Sequence, residues 1–404
     1  MNKFKYCLMA AALMAATVTG FSSCSDDDDE ESTVNPALEE VIAKKKHDTA
    51  ILLCSFGSTY HEATHVYDEV RKDFETAFPD ADVFLSFSSN TCIARLEATR
   101  DESYYHIDQW LNAIADAGYS KVAVQSLHVI PGEEYLAVMN STVKKDFMIR
   151  DYYKHPNIKV LKSANLLDNE EDTEEVAKVL YQHYSSTTNT GEKDMDVLND
   201  KHNLVLLMGH GNPNDSYNAN KKYSDIEAAM QDLTKHKNVL VGTVDYGKML
   251  FWPYEEKDGK AEVAPEANAE SVYSKLVTYC ETNNLKPEEV TIYLAPFMSI
   301  SGDHAHNDLW GIEALAEGDK DLAEAKPNNI EASWRERILN MGFKVGDKEV
   351  HPSGQYDADH GIESGCGVRA LGDYAAIRQI WVNHLKEKYN NKYEWEDGAD
   401  YQPE

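Results

Sequence analysis

The chain is poor in basic residues. Its 404 residues include 39 Lys plus Arg against 70 Asp plus Glu, which gives a formal net charge of −31. Such a surface repels phosphate backbones, so we expect no nucleic-acid partner, and it favours cations instead. The hydrophobic fraction of 42% is ordinary for a globular protein. The acidic charge therefore indicates a solvated surface and not general disorder.

Cysteine is also sparse. The six cysteines form no Cys-x-x-Cys pair, so we expect neither a disulfide framework nor a zinc–thiolate site. A single bridge would still be compatible with an oxidising compartment. The sequence also lacks a Gly-x-Ser-x-Gly motif, which argues against a serine hydrolase with a nucleophile elbow.

The amino terminus has the pattern of a bacterial lipoprotein signal peptide. Lys3 and Lys5 precede an apolar stretch over residues 6–18, and Phe-Ser-Ser-Cys follows at residues 21–24. The apolar stretch is too short for a membrane-spanning helix. We expect cleavage before Cys24, a lipid on its thiol, and a lipid-anchored protein of the cell envelope, periplasmic or on the outer-membrane surface. An ordinary signal peptide is the alternative.

Two pairs of segments resemble each other along the chain. Residues 51–57 (Ile-Leu-Leu-Cys-Ser-Phe-Gly) match 205–211 (Val-Leu-Leu-Met-Gly-His-Gly), and segments ending Pro-Gly-Glu-Glu at 134 and Ser-Gly-Asp-His at 304 also correspond. If each apolar run is a buried parallel strand, Phe56 matches His210 and Glu134 matches His304. Ligands of open α/β sheets bind at these strand ends. The repeat therefore predicts one cleft between two similar halves, lined by Glu134, His210 and His304.

Predicted strands and helices alternate along the chain, as in the strand at 49–55 followed by a helix with apolar residues at four-residue spacing. This alternation predicts an α/β fold of two similar Rossmann-like halves, with parallel sheets and a ligand cleft between them. The predicted divisions are a signal peptide (1–23), an acidic tether (24–46), an N-terminal half (47–198) and a C-terminal half (199–404). Long insertions interrupt the C-terminal half at 251–267, 311–328 and 351–370.

The strongest chemical signal is a set of polar residues at predicted strand ends. His210 lies in Met-Gly-His-Gly-Asn (208–212), His304 in Ser-Gly-Asp-His-Ala-His-Asn-Asp (301–308), and Asp245 follows a third strand. Imidazoles and a carboxylate suit a first-row divalent metal. An extended loop would put His306 on the same side as His304, and its role stays open. We expect His128 to be structural.

Four segments give the chain a resemblance to the anaerobic cobalt chelatases of the CbiK type, class II chelatases, over residues 48–390. They are Ser-Phe-Gly-Ser-Thr-Tyr-His (55–61), Gln-Ser-Leu-His with Gly-Glu-Glu-Tyr (125–128 and 132–135), Met-Gly-His-Gly (208–211), and Gly-Asp-His-Ala with Asn-Asp (302–305 and 307–308). The resemblance implies a lyase that inserts Co(II), as substrate metal, into sirohydrochlorin for cobalamin biosynthesis, without a nucleotide.

Residue by residue, the same resemblance implies that His210 and His304 hold the metal while Glu134 assists proton removal. The family's third ligand is a glutamate, and Asp245 occupies that position here. This shorter carboxylate predicts a relaxed metal choice that includes Fe(II) or Ni(II).

The lipoprotein signal peptide and the insertions favour an alternative function. The alternative is a surface lipoprotein that binds haem or another tetrapyrrole for uptake and can also remove its iron. Aromatic residues in or near the insertions would either stack on the macrocycle or anchor the loops; they are Tyr246, Phe251, Trp252, Tyr254, Trp310 and Tyr356. The oligomeric state stays open, and a homo-oligomer is compatible with the sequence.

Overall fold

The computed structural model describes residues 35–100, 103–185, 197–257, 260–263, 268–311, 332–346 and 369–402. The signal peptide, Cys24, most of two insertions, Tyr356 and Cys366 lie outside these ranges. The described residues belong to one compact unit. None of the helices in these ranges is long and apolar enough to cross a membrane.

The first half is built on four parallel strands in the order β2-β1-β3-β4. Its elements in chain order are α1 Pro36–Lys44, β1 Thr49–Ser55, α2 His61–Ala77, β2 Ala81–Phe87, α3 Asn90–Arg100, α4 Ile107–Asp116, β3 Lys121–Ser126, α5 Glu133–Leu136 continued by the π-helix Ala137–Arg150, β4 Lys159–Lys162 and α6 Glu170–Tyr184.

The second half repeats this arrangement with four parallel strands in the order β6-β5-β9-β10. Its elements are β5 Asn203–Gly209, α7 Lys221–Leu233, β6 Val239–Thr243, the antiparallel hairpin β7 Tyr254–Lys257 and β8 Lys260–Val263, α8 Val272–Asn283, β9 Thr291–Pro296, the π-helix His304–Leu309, α9 Trp334–Asn340 and β10 Lys344–Val345. Two further elements close the chain: α10 Ala375–Tyr389 and β11 Glu396–Asp397.

The prediction of an α/β fold with two parallel sheets is confirmed. In both sheets the first strand along the chain lies between the second and the third. The central strands β1 and β5 are buried along nearly their whole length, because helices cover both faces of a parallel sheet. Uninterrupted apolar runs in the sequence are the result.

The end of the chain departs from the predicted division at residue 199. Helix α10 packs on α2, α6 and β3 of the first half, and β11 adds an antiparallel edge strand to β4. Trp381 of α10 is 1% exposed in a core cluster shared by the two halves, and the Arg378 Nε donates to Asp73 of the first half at 2.6 Å. Residues 375–397 therefore cover the first sheet, although the sequence prediction placed them with the second.

The predicted tether at 24–46 is also partly folded. Residues 36–44 form helix α1, which buries Ala37 and Val41 against α4. The side chain of Asn35 caps this helix by accepting from the Ala37 N–H at 3.1 Å. The acidic run ends before Asn35. The four-residue spacing of Ala37 and Val41 puts both side chains on one face of the helix, which packs against α4. Helix α3 and the β7–β8 hairpin were not predicted either.

Candidate metal centre

The carboxyl ends of β5, β6 and β9 bring three predicted residues together. His210 directly follows β5, Asp245 lies two residues beyond β6, and His304 begins the π-helix after β9. One ligand atom from each residue lies within 4.8 Å of the other two. The Asp245 Oδ2 is 3.4 Å from the His210 Nε2 and 3.8 Å from the His304 Nε2.

Local backbone geometry aims His210 into this cluster. Gly211 has a φ of +87°, and a Cβ there would stand 2.5 Å from the Tyr246 carbonyl oxygen, so only glycine fits after His210. The Gly211 N–H donates to the Tyr223 hydroxyl at 3.2 Å. The His210 Nδ1 lies 3.1 Å from the Gly211 carbonyl oxygen, which can only accept. This contact places a proton on Nδ1, so Nε2, which faces Asp245, is the nitrogen that would bind a metal.

The carboxylate of Asp245 is held in its ionised form. Its backbone N–H donates to the His210 carbonyl at 3.1 Å, which fixes the loop beside β6. Partial burial raises the pKa of Asp245, but the hydrogen bond from His210 and the nearby charge of His304 outweigh it, so the pKa is lowered. An ionised carboxylate between two imidazoles is suited to a divalent cation.

His304 is oriented by a second carboxylate. Its Nδ1 lies 2.6 Å from the Asp308 Oδ2, which leaves Nε2 facing Asp245. Burial lowers the pKa of His304, but Asp308, Asp245 and Asp303 outweigh it and raise the pKa to about 9. A carboxylate behind an imidazole orients a metal ligand and increases its basicity. Asp308 was not predicted to contribute, although its four-residue distance from His304 on a helical turn indicates such a contact.

The other two histidines considered lie outside the cluster. His306 is fully buried, stacks on Tyr60 with ring centroids 3.9 Å apart, and has its Nδ1 2.8 Å from the Gly302 carbonyl oxygen. Residues 304–309 form a helical turn, in which residues two apart point to different sides, so His306 does not share the side of His304. His128 is also buried, with its Nδ1 2.8 Å from the Ser126 hydroxyl, and burial lowers its pKa.

Glu134 lies on α5, beyond the end of β3, and its side chain is exposed. Its carboxylate is outside the three-residue cluster. Burial is the largest cause that raises the pKa of Tyr223 and of Tyr246. The negative charge of Glu134 raises both pKa values further. The ring of Tyr246 stands edge-on to His210, with centroids 5.7 Å apart. Glu134 is thus close to the two tyrosines that flank the His210 loop.

The loops after the strand ends of the first half contact the loops after the strand ends of the second half. The Ser58 hydroxyl donates to the Ser301 carbonyl at 3.1 Å, and the Tyr60 hydroxyl donates to Asp303 at 3.1 Å. On the other side, the Glu133 N–H donates to the Asn212 Oδ1 at 2.8 Å. These bonds join the loops after β1 and β3 to those after β9 and β5. The strand ends of the two sheets therefore meet where the halves contact each other, and the cluster of His210, Asp245 and His304 lies on the second half.

Three of the aromatic residues considered for stacking are core residues. Phe251, Trp252 and Trp310 are 2–3% exposed and pack in the second half, so they anchor their loops. Tyr246 is half-buried beside His210. Tyr356 and the side chain of Tyr254 lie outside the described part. Phe56, at the end of β1, is 44% exposed.

Two imidazoles and one carboxylate at the strand ends of the second half are a ligand set that suits a first-row divalent metal. The family model for cobalt chelatases (CbiK) matches residues 49–249. Over these residues the chain is similar to the cobalt chelatases of this family.

Two characterised relatives and one solved structure are similar to the chain. The sirohydrochlorin cobaltochelatase of Salmonella typhimurium is 27% identical over 84% of this chain and 96% of its own length. The sirohydrochlorin cobaltochelatase CbiKC of Nitratidesulfovibrio vulgaris is 25% identical over 83% of this chain and 88% of its own. The structure of SirB from Bacillus subtilis with Fe3+ covers 85% of this chain and 97% of its own, at 13% identity and a TM-score of 0.46.

Proposed function

We propose that this protein is a sirohydrochlorin cobaltochelatase, a lyase that acts in anaerobic cobalamin biosynthesis. The observation that carries the proposal is the cluster of His210, Asp245 and His304 in a chain that is similar to the cobalt chelatases. Two imidazoles and one carboxylate suit Co(II), and three protein ligands leave coordination positions for the nitrogens of a macrocycle.

The reaction exchanges one metal ion for two protons. Co(II) leaves His210, Asp245 and His304 as its bonds to the four macrocycle nitrogens form, and the two pyrrole N–H protons depart, so charge is conserved. Glu134 accepts these protons as general base and passes them to solvent, since its side chain is exposed. The step needs no nucleotide and no covalent intermediate.

The choice of metal follows from the ligands. Asp245 reaches less far than a glutamate, so the two imidazoles dominate the affinity, which then follows the general order of divalent metals. We propose that the protein also accepts Fe(II) or Ni(II) in place of Co(II).

We further propose that the protein is lipid-anchored in the cell envelope through Cys24. The support is the sequence alone: two lysines, a short apolar stretch and Phe-Ser-Ser-Cys. Wild-type protein should incorporate labelled palmitate and fractionate with membranes, whereas Cys24→Ser should do neither. An unlabelled wild type would instead indicate an ordinary signal peptide.

An absorbance assay tests the enzymatic proposal. Purified protein is mixed with sirohydrochlorin and Co(II), and the spectrum of the metallated macrocycle is followed against a protein-free control. We expect the protein to accelerate insertion. A parallel titration with haem tests the alternative: tight haem binding without any acceleration of metal insertion would favour a tetrapyrrole-binding lipoprotein.

A further inference from the structure

Asn212 connects the two halves through its side chain. It lies two residues after His210, is 3% exposed, and its Oδ1 accepts from the Glu133 N–H at 2.8 Å. Its Nδ2 donates to the Asn214 carbonyl at 2.6 Å. Helix α5 begins after Gly132, which has no side chain to cap it. Asn212 thus caps from the second half the helix that carries Glu134 on the first.

Further hydrogen bonds hold this cap in place. The Asn220 amide makes two bonds to the backbone of Asn212, one to its N–H and one to its carbonyl, each 2.8 Å long. Asn214 donates to the carboxylate of Glu133. The loop between them carries Tyr217 and Asn218 at positive φ, a conformation that costs free energy in residues other than glycine. The loop conformation is therefore specified by this network.

The close approach leaves no spare room at the contact. A Cβ on Gly132 would stand 2.8 Å from the Asn212 Oδ1. Gly132 itself has φ −84° and ψ −175°, which an alanine adopts without strain. A methyl group at residue 132 would therefore act on the structure mainly by displacing Asn212.

We propose that Asn212 is a positioning residue that fixes Glu134 with respect to His210, and so sets the gap between the proton acceptor and the metal. The inference rests on the proposed function, since it assigns Asn212 to that same site. The two adjacent glutamates then have different tasks: Glu133 is held by Asn212 and Asn214, while Glu134 faces the substrate. Loss of the bond should impair proton removal and leave metal binding intact.

A double-mutant cycle of Asn212→Ala and Gly132→Ala tests the proposal. Asn212→Ala should lower kcat for Co(II) insertion about tenfold, because a small misplacement of a catalytic group is costly. The Kd for Co(II), measured by titration without sirohydrochlorin, should stay within about twofold, since the hydrogen bonds of Asn212 go to Glu133, Asn214 and Asn220 and not to the three ligands. Gly132→Ala should lower kcat by a similar factor alone, but add little in the Asn212→Ala background, where the clash is gone.

Asn35→Ala is the matched control. Asn35 also accepts from a helix N–H, that of Ala37, and donates to a distant carbonyl, that of Gln109 at 2.7 Å. It should lower the Tm about as much as Asn212→Ala, without lowering kcat. Equal kcat losses in the two variants, additive effects in the cycle, or a loss of Co(II) affinity in Asn212→Ala would each overturn the proposal.

The Tm of each variant in the cycle is also measured, because this readout does not depend on enzymatic activity. Non-additive Tm changes for Gly132 and Asn212 are expected from the contact, and additive changes would overturn it. Absence of insertion by the wild type would instead refute the proposed function, so the two failures are distinguishable.

Discussion

The carboxyl ends of the strands in the two sheets share backbone hydrogen bonds but carry different side chains. Past β1 and β2, the Ser89 N–H donates to the Phe56 carbonyl at 3.1 Å; past β5 and β6, the Asp245 N–H donates to the His210 carbonyl at 3.1 Å. Glu134 follows the end of β3 by the same number of residues as His304 follows the end of β9. We call residues 56, 89 and 134 the first rim, and residues 210, 245 and 304 the second rim.

The difference between the rims shows how one repeated fold supplies two kinds of chemistry. The second rim carries the three candidate metal ligands, and the first carries an exposed phenylalanine, a serine and a carboxylate. The backbone of a strand end is determined by sheet pairing, whereas its side chain can change without altering the fold. Such an asymmetry between the two rims fits the proposed reaction, in which metal enters from one side and protons leave on another.

Removing either imidazole of the second rim should have the largest effect. His210→Ala and His304→Ala should each reduce Co(II) insertion by more than about 100-fold, since even outer partners of metal ligands are worth about 10–100-fold. Their side chains are about one-third exposed, so the Tm should hardly change. His306→Ala, which removes a buried ring, should show the reverse pattern. A large fall in Tm for both ligand variants would indicate a structural role instead.

Glu134→Gln tests the carboxylate of the first rim. It should reduce kcat by about 100-fold, the usual contribution of a general base, while Co(II) binding stays unchanged. Glu133→Gln is the matched neighbour and should cost much less, because an amide oxygen can still accept from Asn214. Equal losses in the two variants would contradict the assignment of the base.

Asp245→Glu should sharpen metal choice. We expect the ratio of Co(II) to Ni(II) and Fe(II) insertion rates to rise by about threefold or more, because a longer carboxylate makes a larger contribution to the site than Asp245 does. Initial rates for the three metals in wild type and variant decide the matter. Unchanged ratios would mean that Asp245 does not contact the metal.

Of these four predictions, Phe56→Ala should have the smallest effect on the reaction. Phe56 occupies the position equivalent to His210, and loss of one aromatic contact with the macrocycle should raise KM for sirohydrochlorin about twofold. Since its ring is 44% exposed, the Tm should change little. An unchanged KM would show that the first rim does not contact the macrocycle through this residue.

Much of the fold could be predicted from the sequence because its signals are local. Apolar runs that end in glycine turns gave the central strands, and their repetition gave two similar sheets. The predicted strands also put His210, Asp245 and His304 at strand ends, where parallel pairing brings them together. The side-chain spacing of Asp308 from His304 was present too, but a helical turn after β9 had to be known before it could be used.

Tertiary structure alone decided the features that join distant parts of the chain. The burial of Phe251, Trp252 and Trp310 depends on which loops pack on the second sheet, and the place of α10 depends on which sheet offers it a complementary apolar face. The Asn212 bond to Glu133 spans 79 positions. No periodicity or propensity encodes such a contact, because it exists only after both sheets have formed and their strand ends face each other.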